Sequence, residues 1–167
     1  MKPFIRAPDG ALAAVFDDEE VQVLISIAGE LVGILAPRVE AAGTPLGNKA
    51  RRRLLPDAYA EDPEAAAEFR RFTEPDLLAR KSQNAEVLQS SLTKGTRRRE
   101  RLEIRLDADE TQSWLRCLTD LRLTLATALD IFEEGDEEAV EPRNEYSLAI
   151  YHWLGFVQES LLEALES

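Results

Sequence analysis

Leu102-Glu103-Ile104-Arg105-Leu106 alternates apolar and charged side chains, the period of a half-buried strand with one wet face. The period then changes, and Trp114, Leu118, Leu121, Leu125, Ala128 and Leu129 make a stripe along one side of a helix, the best-defined helix of the sequence. Between the two stand Asp107 and Glu110, at the spacing of a capping box, in which N-cap and N3 side chains each accept the other's backbone amide. The same succession occurs near the start. Phe4-Ile5-Arg6 and Leu12-Ala13-Ala14-Val15-Phe16 flank Pro8-Asp9-Gly10, whose fixed proline φ and permissive glycine suit a hairpin turn. Asp17 and Glu20 repeat the box spacing ahead of Leu24, Ile27, Ala28, Leu31 and Leu35, a helix that Pro37 is expected to end or kink. Leu12 to Leu31 can be laid over Leu102 to Leu121 at constant register, with Asp17 on Asp107, Glu20 on Glu110, Gln22 on Gln112 and Leu24 on Trp114. Any strand running straight into a capped helix produces such an echo, and so does a duplication.

The middle of the chain is less regular. Gly43-Thr44-Pro45-Leu46-Gly47 reads as a loop, and Leu54-Leu55-Pro56-Asp57-Ala58-Tyr59 as a short apolar anchor against the core. Two helices are expected next, one from about Pro63 to Phe72 and a second with Pro75 in its first turn, continuing to about Leu92. Lys94 to Arg101 reads as a polar, basic connector. After the Trp114 helix, Glu133 to Arg143 is an acidic loop, and Tyr146, Ile150, Trp153, Leu154, Val157, Leu161 and Leu165 mark a C-terminal helix.

These elements predict a mainly α protein, a helical bundle with a small antiparallel β-sheet made of the N-terminal hairpin and a third strand at Leu102. At 167 residues one domain spanning 1–167 is expected, and 44% hydrophobic with 31% charged residues places the chain between membrane proteins and disordered ones. No apolar run reaches the roughly 20 residues that span a bilayer, and Met1-Lys2-Pro3-Phe4-Ile5-Arg6 lacks a signal-peptide apolar region. With a single cysteine, Cys117, this favours the cytoplasm. A net charge of −12 opposes nucleic-acid binding over the surface as a whole.

Candidate chemistry is sparse. No phosphate-cradling glycine loop, nucleophile elbow or zinc-protease motif occurs, so neither a catalytic residue nor a cofactor is expected. His152, the only histidine, lies between two aromatic residues and reads as a packed or boundary side chain. Cys117 falls on the buried stripe of its helix, which predicts an inert structural thiol. The runs containing Arg51, Arg52 and Arg53, and Arg97, Arg98 and Arg99, are candidate contacts for a partner or for phosphate; otherwise they are solvated loops. If its apolar neighbours draw Arg122 inward, its guanidinium requires a carboxylate, with Glu74 and Glu159 as candidates for a structural polar cluster.

Several segments in order carry a resemblance: Leu54-Leu55-Pro56-Asp57-Ala58-Tyr59; Phe69-Arg70-Arg71-Phe72-Thr73-Glu74-Pro75-Asp76-Leu77; Trp114 with Leu118-Thr119-Asp120-Leu121-Arg122-Leu123; and Tyr151-His152-Trp153-Leu154 with Gln158-Glu159. Together with the opening hairpin they cover most of the chain. They resemble a family of largely uncharacterised actinobacterial proteins that includes the oxidative-stress transcriptional regulator AosR. The resemblance implies a non-enzymatic cytoplasmic regulator or adaptor working through a protein partner, with a transcription factor as the candidate. The alternatives are a nucleic-acid-binding regulator using the arginine runs and, third, an enzyme of unassigned reaction. The redox role associated with that branch requires two closely spaced cysteines, and this chain has Cys117 alone.

Overall fold

A computed structural model describes residues 1–36, 44–55 and 62–167. Strands β1 (Lys2–Arg6) and β2 (Leu12–Asp17) form the expected hairpin, whose turn contains Gly10 at φ 87°. Helix α1 (Asp18–Leu35) follows directly, and both halves of its capping box are made: the Glu20 amide donates to Asp17 and the Asp17 amide to Glu20, each at 2.9 Å. Strand β4 (Arg101–Leu106) and helix α4 (Ala108–Ala128) repeat the arrangement, with the Asp107–Glu110 box at 2.8 and 3.1 Å. The chain closes with α5 (Glu145–Glu166), at whose end Arg6 donates to the Leu165 and Ser167 carbonyls at 2.7 and 3.0 Å. Pro37 lies outside the described residues, and α1 ends just before it, at Leu35.

The expected fold class is correct, and the sheet has one strand more than the sequence pattern indicated. Residues 96–98, within the predicted basic connector, form β3 (Thr96–Arg98), which pairs antiparallel with β4 through a two-residue turn. Gly95 makes that entry feasible, because a Cβ there would stand 2.9 Å from the Glu103 carbonyl oxygen. Strand order is β1-β2-β4-β3. The sequence echo therefore corresponds to two hairpin–helix units joined through their inner strands. Leu12 pairs with Leu106 and Phe16 with Leu102, and exchanging the units converts one pair into the other. The pair Ala14–Ile104 lies at the centre of this local two-fold relation. Equivalent positions are buried in both units: Val21 and Thr111, Leu24 and Trp114, Ala28 and Leu118, Leu31 and Leu121.

Two further expectations are corrected. Of the expected Gly43–Gly47 loop, Gly43 lies outside the described residues and the rest opens a helix: Thr44 caps α2 (Pro45–Leu54) by accepting the Gly47 amide at 3.1 Å, with Pro45 in the first turn where a missing N–H costs nothing. Leu54 at its end is buried, as the anchor reading requires, while Pro56 to Tyr59 lie outside the described residues. The two helices expected around Pro75 are one, α3 (Pro63–Lys94), with Pro75 in its interior. Proline at a first turn and proline inside a helix read alike in sequence. Here the helix continues because its later half is anchored by Ala85, Leu88 and Leu92 in the core, while the stretch around Pro75 is largely exposed, where water can serve a carbonyl without an amide partner.

The helices cover one face of the sheet, and the core lies between. Phe4, Phe16 and Trp114 pack with ring centroids 5.9 to 6.2 Å apart, and Trp153 meets Phe16 edge-on at 6.4 Å. Lys81 of α3 and Asp120 of α4 form a largely buried ion pair at 2.6 Å within this packing.

Candidate functional site

The arginine runs have different fates. In α2, Arg51 donates to the Ile34 and Ala36 carbonyls at 2.8 and 3.0 Å, closing the C-terminal end of α1, and pairs with Glu74 at 3.3 Å. Arg53 donates to the Ile131 carbonyl at 2.8 Å and lies over the Phe132 ring at 4.9 Å, beside Lys49 at 4.8 Å. Arg51 and Arg53 are thus ties between helices, not the solvated loop residues the charge run suggested; Arg52 is exposed.

The second run sits on the β3–β4 hairpin. Arg97 pairs with Asp18 at the start of α1, and Arg105 with Asp9 at 2.7 Å. Arg98, Arg99 and Arg101 are exposed and have no carboxylate within ion-pair distance among the described residues. Arg98 and Arg101 are opposite each other on the two strands, and Arg99 occupies the turn at φ 57°. A non-glycine residue in that left-handed region costs about 1–3 kcal/mol, so the turn holds an arginine where glycine would be cheaper.

Arg122 does go inward, but to neutral partners. Its guanidinium lies 5.0 Å from the Tyr151 ring and reaches Gln158 Oε1 at 3.4 Å and the Tyr151 hydroxyl at 3.5 Å; Nε is buried with no acceptor. Glu74 is committed to Arg51 and Glu159 is exposed, so the expected Glu74–Arg122–Glu159 cluster does not form. The reason is rotational: Tyr151 and Gln158 are two turns apart on the α5 face that meets α4, whereas Glu159 is one residue further round. Gln158 Nε2 donates to Thr119 at 2.9 Å, which turns its carbonyl oxygen toward Arg122.

Around this group is a cleft of about 430 Å³ bounded by α4, α5 and the loop after α4. The loop is folded on itself by Asp136, which accepts the Phe132 and Glu133 amides at 2.8 and 2.9 Å; these bonds hold its carboxyl below the ordinary 3.8. Sequence reasoning identified Arg122 but missed the cleft, because no periodicity reports how a loop returns over two helices. A second cleft, of about 650 Å³, lies between Leu35 and the Pro75 region of α3.

The remaining candidates carry little chemistry. His152 is exposed rather than packed, with Nε2 3.8 Å from Glu137. Among the described residues no group of three or more His, Cys, Asp or Glu side chains is placed to hold a metal, and no helix is long and apolar enough to cross a membrane. Cys117 is 0% exposed, and burial, aided by the Asp120 carboxylate, pushes its thiol up to about 12. Since thiolate is the reactive form, a thiol reagent should label native protein at neutral pH at least about a hundredfold more slowly than urea-unfolded protein. Equal labelling rates would show that the site opens.

The chain is similar to proteins described as "Oxidative stress regulator AosR" from Mycobacterium bovis and from two strains of Mycobacterium tuberculosis, CDC 1551 and H37Rv. Each is 28% identical over 172 residues, covering 93% of this chain and 74% of the relative. No solved structure matches it. The profile of a family described as a domain of unknown function, DUF2017, matches residues 1–165, and the chain belongs to that family.

Proposed function

We propose that this protein is a non-enzymatic regulatory or adaptor protein, linked to stress-dependent control of transcription, that acts by binding another protein. The observation that carries the reading is the β3–β4 hairpin, where Arg98, Arg99 and Arg101 are exposed without carboxylate partners among the described residues, on a chain of net charge −12. A two-stranded turn paired to a central strand presents those guanidiniums at fixed spacing, which suits bidentate contacts to carboxylates. The left-handed Arg99 adds weight, since local strain collects where a surface is used. An acidic segment of a protein partner is the occupant this surface fits. The relatives' description as oxidative stress regulators supports a regulatory role, and the high thiol pKa of Cys117 argues that a signal arrives by some route other than oxidation of this residue.

The same three arginines also suit a phosphate backbone, so the test separates the two occupants. Affinity capture from the native cytoplasm should recover a discrete protein that survives nuclease treatment. Capture should weaken at least about tenfold when Arg98, Arg99 and Arg101 are changed to glutamate, because close interfacial charge contacts are worth about 2–5 kcal/mol when truncated. Far-UV circular dichroism should be unchanged. A salt-dependent shift of duplex DNA, abolished by neutralising Arg97, Arg98 and Arg99, would favour the nucleic-acid reading instead.

A further inference from the structure

We infer that the cleft between α4, α5 and the loop after α4 binds a small zwitterion of the α-amino-acid class, its carboxylate on Arg122 and Arg53 and its ammonium toward the loop glutamates. The inference is independent of the arginine hairpin, which lies elsewhere on the fold.

Arg122 supplies the first argument. A partly buried guanidinium ordinarily meets a carboxylate, because its five donors match two oxygens in a plane and its desolvation is otherwise uncompensated. Arg122 has only neutral acceptors at 3.4 and 3.5 Å, the long limit of hydrogen bonding, and a buried Nε with none. The group is nevertheless held in place: Tyr151 lies against its face at 5.0 Å, and Thr119 fixes Gln158 beside it. Gly155, between Tyr151 and Gln158 on the same helix face, brings the α5 backbone close beside the guanidinium, and a Cβ there would add a methyl contact 3.6 Å from its central carbon. This is a pre-set anion receptor whose anion is not supplied by the described residues.

The second argument is the charge of the rest of the lining. Arg53 lines the same cleft, also without a carboxylate partner among the described residues, and so do Glu133, Glu134 and Glu137, none of which reaches either arginine. Three glutamates would repel a phosphate dianion. They would favour a ligand that carries an ammonium beside its carboxylate, which meets both signs of charge in the lining. The volume, about 430 Å³, lies in the range of small-molecule sites and accommodates a single amino acid with room for its side chain.

The test uses the full chain. Thermal denaturation and titration calorimetry are run with each of the standard amino acids in turn at millimolar concentration, with inorganic phosphate, and with the N-acetyl and amide derivatives of the best binder. One or a few free amino acids should raise the melting temperature, and both derivatives should bind at least about tenfold more weakly, each having lost one charge. R122Q should weaken binding by at least about tenfold. The triple variant E133Q/E134Q/E137Q should also weaken it, and it keeps the test decisive if R122Q does not fold, because it alters only side chains on the loop rim. The proposal is overturned if no amino acid shifts the melting curve, if phosphate or the N-acetyl derivative binds as well as the free amino acid, or if either folded variant binds like the unaltered protein.

Discussion

Replacing Trp114 with alanine should lower the unfolding free energy by about 3–5 kcal/mol, a large share of the roughly 5–15 kcal/mol that holds a domain of this size folded. Trp114 is 0% exposed and contacts Phe4 and Phe16 at 5.9 and 6.1 Å between ring centroids, so its removal opens a cavity between the sheet and α4. The indole N–H is buried without an acceptor, which itself costs about 1–3 kcal/mol. Trp114→Phe removes that donor while keeping most of the aromatic volume, and its net cost should therefore stay below about 1.5 kcal/mol. Urea unfolding followed by circular dichroism, with unchanged slope, measures both. If Phe proves as damaging as Ala, the indole N–H has a partner in solution and the account of this core is wrong.

The Lys81–Asp120 pair is the second position of large effect. Asp120 and Lys81 are 4% and 17% exposed at their side chains, and the pair joins α3 to α4 at 2.6 Å. Lys81→Met should cost about 3–5 kcal/mol at neutral pH, because it strands a buried carboxylate. The double variant Lys81→Met, Asp120→Leu should recover most of that loss, since an apolar pair of similar volume is often as stable as a buried ion pair. The pH dependence has a definite sign. Burial raises the Asp120 carboxyl above its ordinary 3.8, with Lys81 opposing through hydrogen bond and charge. A raised folded-state value means that the folded protein holds this proton more tightly than the unfolded chain does. Its contribution to stability is therefore fully present below about 3.8 and is lost as pH rises through the folded value. Removing Lys81 takes away the opposing influence, so the penalty of Lys81→Met should shrink on acidification and grow toward neutral pH. Unfolding curves at acidic and neutral pH test this, and a penalty independent of pH would show that Lys81 acts through packing alone.

Both predictions concern residues whose importance the sequence announced unequally. Trp114 stands at the head of a helical stripe after a capping box, and its burial follows from period and cap, which act within a few residues of one another. The Lys81–Asp120 pair had no such signal: Asp120 shares its helix with Leu118 and Leu121, but nothing local indicates that a lysine on another helix meets it. The arginine runs show the same division. Residue type marked Arg51, Arg53 and Arg97 as contacts for a partner or phosphate, or as solvated, and Arg122 as needing a carboxylate; what they meet are carbonyls at the end of α1, the Ile131 carbonyl, Asp18 and the Tyr151 ring, reached only after the chain has folded back.

The sequence by itself determined the elements whose causes are local: the hairpin at Gly10, the two capping boxes, the strand alternation at Leu102 and the apolar stripes that bury Leu24, Trp114 and their neighbours. It also determined that two strand–helix passages would bury equivalent positions. The tertiary structure alone decided that β3 joins the sheet edge, that α3 runs on through Pro75, and that Arg122 faces a cleft with no carboxylate in ion-pair contact with it among the described residues. Those outcomes depend on β4 being present as a template for β3 and on core contacts at Ala85, Leu88 and Leu92 outweighing one lost hydrogen bond. The cleft depends further on a loop closed by Asp136 over two helices. Each is a balance between groups distant in the chain, and hydrophobic periodicity, which compares near neighbours, carries no record of it.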